Sequence, residues 1–97
     1  MNTTEDRAET VRVWLVERTY SDDEQNLIIL TYATPDGRRD YRTERALTSF
    51  TGDHRETTAA VDVSPDNLGT VEDPETRERY AAEVARVRER YAPDDAV

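Results

Sequence analysis

The chain has 97 residues, of which 22 are acidic and 13 basic, for a formal net charge of −9. A chain of this length makes one domain and buries only about 60–70 % of its unfolded surface, so its core is thin. Cysteine is absent, which excludes disulfides, thiolate nucleophiles and cysteine-bound zinc.

Seventeen residues are Leu, Ile, Val or Phe, below the ~20 % share that, with high net charge, marks disorder. They are concentrated rather than scattered, in VRVWLV (11–16), NLIIL (26–30), AAVDV (59–63) and a helical segment near the C-terminus. That local density is enough for a packed sheet and helix. The longest aliphatic run, LIIL, is far short of the ~18 residues of a membrane span. No basic-then-apolar leader follows Met1, so a soluble cytoplasmic protein with no membrane contact is expected.

In chain order, residues 1–10 are polar and acidic and read as a flexible N-terminal arm. Residues 11–20 are rich in β-branched and aromatic types and predict a strand, with Val11, Val13 and Leu15 on one face and Trp14, Val16 and Tyr20 on the other. SDDEQ (21–25) is a charged loop; its acid triplet lacks the spaced ligands of a calcium loop, and no metal site is expected. Residues 26–33 are apolar on both faces, as a central strand would be. TPDG (34–37) carries turn residues in hairpin order. Residues 38–47 are charged, in the manner of a protected edge strand.

Residues 48–57 read as a loop with Phe50 tucked in, 58–63 as a short fourth strand, and 64–71 as turn chemistry throughout. A helix then starts with Asp73 at the N-cap, Pro74 at N1 and Glu75 in the first turn. It stops before Pro93, which biases Ala92 toward extended geometry. The pattern predicts an α+β fold, a small antiparallel β-meander of three to four strands packed against one C-terminal α-helix. The domain spans 11–92, and 93–97 form an acidic C-terminal tail.

At ~100° per residue, Tyr80, Val84, Val87 and Tyr91 share one narrow stripe of the helix. The stripe suits packing on the sheet; its 4-3-4 spacing also suits a self-association seam. Arg77 and Arg88 flank it on one side and Arg79, Arg86 and Arg90 on the other, with Glu75 and Glu83 within i±4 of these. Cations in the last turns also complement the helix dipole.

All 13 basic residues are arginine. Arginine is more weakly hydrated than lysine and forks onto carboxylates. An acidic, lysine-free chain resembles the proteins of halophilic archaea, which balance external salt with molar internal KCl, and the resemblance extends over the whole sequence. It implies that acidity serves solubility, because in molar salt the Debye length is about 3 Å and long-range attraction is nearly gone.

The arginines are nevertheless segregated. Residues 38–45 and 77–91 together hold nine arginines against five acids, a net of +4; the rest of the chain holds four against seventeen, a net of −13. On a strand, Arg39, Tyr41 and Arg45 share a face, and an aromatic between arginines can stack a base or grip an anion. The competing reading is a solvated edge strand whose charges discourage aggregation.

Little catalytic chemistry is present. His54 is the single histidine, the three serines lie outside any nucleophile elbow, and Gly37, Gly52 and Gly69 are isolated, so no phosphate-cradling loop exists. The chain is expected to be no enzyme and to hold no cofactor. Two functions remain. One is a protein-interaction module, self-associating or regulatory, built as a homodimer or around a protein partner. The other is a nucleic-acid or anionic-ligand binder that uses Arg39, Tyr41, Arg45, Arg79, Arg86 and Arg90.

Overall fold

Three antiparallel strands form the middle of the molecule in a computed structural model that describes residues 9–21, 27–46 and 57–97. They are β1 (Val11–Ser21), β2 (Leu27–Ala33) and β3 (Arg39–Ala46); β4 (Ala60–Val63), a 3-10 turn (Pro65–Asn67), β5 (Gly69–Thr70) and the helix α1 (Pro74–Arg90) follow. All pairings are antiparallel and the sheet order is β4-β1-β2-β3-β5. The fold is α+β, with five strands rather than three or four. The additional strand is two residues long and comes from the stretch that reads as turn, too short for any periodicity to show. The meander of β1, β2 and β3 and the central place of β2 agree with the expected pattern.

Alternation along the strands divides the apolar residues between two layers. Trp14, Ala33 and Ala60 lie under α1 and meet Tyr80 and Val84, which are 5 % and 1 % exposed. Val13, Ile28, Leu30 and Tyr32 form a second buried cluster on the opposite face, with Val11, Leu15, Tyr41, Val61, Val63 and Leu68 at its margin. The helical stripe thus packs on the sheet through Tyr80, Val84 and Val87, and Tyr91 is the exposed end of it.

One register feature departs from simple alternation. Leu15 faces Tyr32 and Glu17 faces Thr31, so Val16 is an extra residue in a β-bulge. Val16 and Glu17 consequently both turn toward α1, and every later residue of β1 changes face. Tyr20, expected beside Trp14 and Val16, stands opposite Ile28 on the other face and is 59 % exposed.

The β2–β3 turn is built as TPDG predicts. The Thr34 hydroxyl donates to Asp36 at 2.7 Å, the Arg38 amide donates to the same oxygen at 3.0 Å, and the Gly37 amide reaches the Thr34 carbonyl at 2.8 Å. Gly37 has φ 73° and is buried against the backbone of α1 at Arg77 and Ala81. Only glycine offers both this conformation and this approach.

At the helix start, Asp73 accepts from the Thr76 amide at 3.1 Å, as its N-cap position predicts. Beyond α1 the chain turns back along β4. Pro93 and Asp95 carbonyls accept from Ala60 and Ala59, Val97 donates to Thr57, and Val97 packs on the layer under the helix. No helix among the described residues is long and apolar enough to cross a membrane. The expectations for the arm before Glu9, the SDDEQ acids, Phe50 and His54 fall outside the described residues.

Candidate functional site

The bulge opens a cleft. Where Val16 and Glu17 lean toward the helix, β1 and the last turns of α1 part around a cavity of about 370 Å³. Its floor is apolar, formed by Val16, Val87, Tyr91 and Val97, and Leu15, which packs on the opposite face, borders it in β1. Its rim carries Arg86 and Arg90 with Glu17 and Glu83; Arg18 borders it in β1 but stands opposite Leu30, on the face away from α1. Arg86 forks onto Glu83, with Nη2–Oε2 at 2.6 Å and Nε–Oε1 at 3.3 Å, and this bond and charge raise the Arg86 pKa. Arg18 and Arg90 form no ion pair with any described residue.

The cleft adjoins the stretch of β1 where its described pairing with β4 ends. β4 pairs with β1 from Val11 to Trp14, and the last backbone bond between the two segments runs from the Leu15 amide to the Ala59 carbonyl. From Val16 to Ser21 no described strand lies on that side of β1. On the other side of the sheet, described pairing of β3 also ends early. β5 covers β3 only at Arg39 and Asp40, so Tyr41 to Ala46 have a described strand partner on the β2 side alone.

The six arginine and tyrosine positions singled out from sequence do not converge. Arg39, Tyr41 and Arg45 do share a face, but it is the face away from α1, because Tyr41 stands opposite Tyr32 of the second cluster. The Tyr41 ring tilts against Tyr32 at 6.0 Å between centroids, and Arg45 donates to the Thr57 hydroxyl at 3.3 Å. Arg79, Arg86 and Arg90 ride on α1, on the opposite side of the sheet. Within that set Arg79 lies over the Tyr80 ring at 5.3 Å, near the start of the helix, and only Arg86 and Arg90 reach the cleft.

Other charged groups serve the scaffold. Arg12 and Asp62 pair across β1 and β4 at 2.9 Å, which raises the arginine pKa and lowers that of the carboxyl. Arg77 donates to the Val71 carbonyl at 2.6 Å, and Arg88 lies over the Trp14 ring at 5.8 Å. Burial pushes the Tyr32 and Tyr80 hydroxyls up from their ordinary value.

Sequence reasoning missed the participation of Val16, because a bulge leaves no mark in a hydrophobic pattern. It also passed over a relation visible in the string RTE, where Arg42 and Glu44 of opposite charge flank Thr43.

Residues 7–97 match the model of a family described as "Family of unknown function (DUF7967)". The chain belongs to that family. No curated protein and no solved structure matches it.

Proposed function

We propose that this member of DUF7967 is a non-catalytic protein-interaction module of a high-salt cytoplasm, and that it self-associates as a homodimer through the outer edge of β3. The observation that carries the reading is the charge pattern of that edge. Two copies pairing antiparallel about a two-fold axis at Thr43 set Arg42 against Glu44 of the second copy, twice. Axes at Arg42 or at Glu44 place like charges opposite one another, so charge selects a single register. Opposite charges directly across a strand pair contribute roughly 0.2–1 kcal/mol, and like charges oppose pairing.

Arg42 and Glu44 support this role because both are exposed and neither has an ion-pair partner among the described residues. β5 already occupies the outer side of Arg39 and Asp40, which confines the pairing to Tyr41–Arg45. The contact is therefore short, and backbone bonds carry it more than area does. Acidic, lysine-free composition supports the high-salt setting, where contact pairs persist although long-range attraction is screened. The anion-binding alternative needs its two arginine sets on one surface, and they lie on opposite faces.

Sedimentation equilibrium in molar KCl tests the reading. Wild type is expected as a dimer, Arg42→Glu as a folded monomer, and the charge-swapped Arg42→Glu/Glu44→Arg double variant as a dimer again. A wild type that stays monomeric at every concentration, or an Arg42→Glu variant that remains dimeric, overturns it.

A further inference from the structure

The bulge in β1 sorts charge by sheet face. Strict alternation from Val11, Val13 and Leu15 would continue through Glu17 and Thr19 on the face away from α1. The extra residue at Val16 sends those two toward α1 and turns Arg18 and Tyr20 to the far face instead, opposite Leu30 and Ile28. Arg39, Tyr41 and Arg45 of β3 stand on that same face, Tyr41 opposite Tyr32 and Arg45 opposite Ile28. Strands β1 to β4 hold four acids, Glu17, Asp40, Glu44 and Asp62, and the register puts all four on the α1 side. The far face of those strands therefore carries three arginines and no carboxylate, in a chain of net charge −9.

Tyr20, Ile28 and Arg45 form one row across β1, β2 and β3, which sets Tyr20 and Arg45 about 10 Å apart at the backbone. Arg18 lies two residues along β1 from Tyr20. Burial raises the Tyr32 pKa, and the charges of Arg45 and Arg18 both act against that rise, so both cations reach the same part of the face. The middle of the face is closed, with Leu30 at 0 % exposure, but Arg18 and Tyr20 at its margin are exposed. Neither side chain has a hydrogen bond or an ion pair with any described residue.

We propose that Arg18 and Tyr20, with Arg45 across the row, bind single-stranded nucleic acid, one unpaired base stacking on the Tyr20 ring and the adjoining phosphate taken by the Arg18 fork. An exposed ring beside a guanidinium serves a base and its phosphate together, whereas an acidic peptide or a bare phosphate leaves the ring unused. Arg45 donates to Thr57 and so supplies charge from a fixed position. The helix arginines take no part: the sheet divides the six positions singled out from sequence, and the bulge gives the strand half two new members. In molar salt, counterion release contributes little and the acids elsewhere are screened beyond about 3 Å, so stacking carries more of the binding than charge does.

The probe is octauridylate, titrated into isotopically labelled protein in molar KCl and read by backbone amide shifts. Saturable shifts are expected at residues 18–20 and 43–45, with none along α1. Tyr20→Ala is expected to weaken binding about tenfold and Arg18→Ala about threefold, while Tyr20→Phe retains it. The Arg42→Glu variant should bind as wild type does, which separates this site from self-association through β3. The absence of a saturable shift, a Tyr20→Ala variant that binds as well as wild type, or the same shifts produced by octaglutamate or tripolyphosphate at equal concentration overturns the proposal.

Discussion

Gly37 ties the β2–β3 turn to the helix. Its φ of 73° suits glycine, and an added Cβ would run into the Arg77 carbonyl on α1. Gly37→Ala therefore combines left-handed strain with displacement of the helix backbone, and it is expected to cost about 3 kcal/mol, measured by chemical unfolding. In the same turn the Thr34 hydroxyl, and then the Arg38 amide, hold the Asp36 carboxyl below its usual pKa. A depressed folded value contributes stability that is present above the unfolded pKa of about 3.9 and is lost as pH falls through the folded value. Melting points taken downward from neutral pH should show a shallower acid decline in Asp36→Asn than in wild type. The TPDG turn and the Asp73 cap were both legible in sequence, because each depends on residues within a few positions of one another. The approach of Gly37 to Arg77 was not legible, since it joins positions forty residues apart.

At the scale of elements, α1 is held by a stripe whose members are unequally buried. Val84 is 1 % exposed between Trp14 and Tyr80, whereas Val87 is half-buried beside the cleft. Val84→Ala is expected to lower unfolding free energy by about 2 kcal/mol and Val87→Ala by less, as measured by denaturant titration. The stripe was read from spacing as either core or seam. Burial of Tyr80 and Val84 against the sheet assigns those two to the core. The strand elements were less completely legible. Alternation separated Val11, Val13 and Leu15 from Trp14 and Val16, but it carried Tyr20 to the wrong face, because the bulge at Val16 shifts the period by one residue. Residues of the bulge line the cleft. Charge segregation in the sequence pointed at Arg39, Tyr41 and Arg45 with Arg79, Arg86 and Arg90 as one surface, yet strand pleat and sheet order place the two groups on opposite sides.

For the whole molecule, a net charge of −9 on 97 residues makes self-repulsion depend on screening. Lowering the salt from molar to about 0.1 M lengthens the Debye distance from about 3 to about 10 Å, so charges that ignored one another begin to repel. The melting point is expected to fall as KCl is removed at constant pH, and a midpoint that rises or stays level contradicts a molecule adapted to high salt.

Composition by itself determined the charge and the exclusion of cysteine chemistry, because these are sums over residues and need no geometry. Local patterning by itself determined the antiparallel meander, the central β2, the TPDG turn and a capped C-terminal helix, because hydrogen bonds and periodicity over a few residues suffice for them. Tertiary structure alone decided that β4 pairs outside β1, that β5 pairs beyond β3, and that the tail 93–97 lies along 57–60. Among the described residues, it alone left β1 with one strand neighbour past its bulge and β3 with one past Asp40. Strands of unequal length pair with one another, and the length of a neighbour is not written in the strand it pairs with.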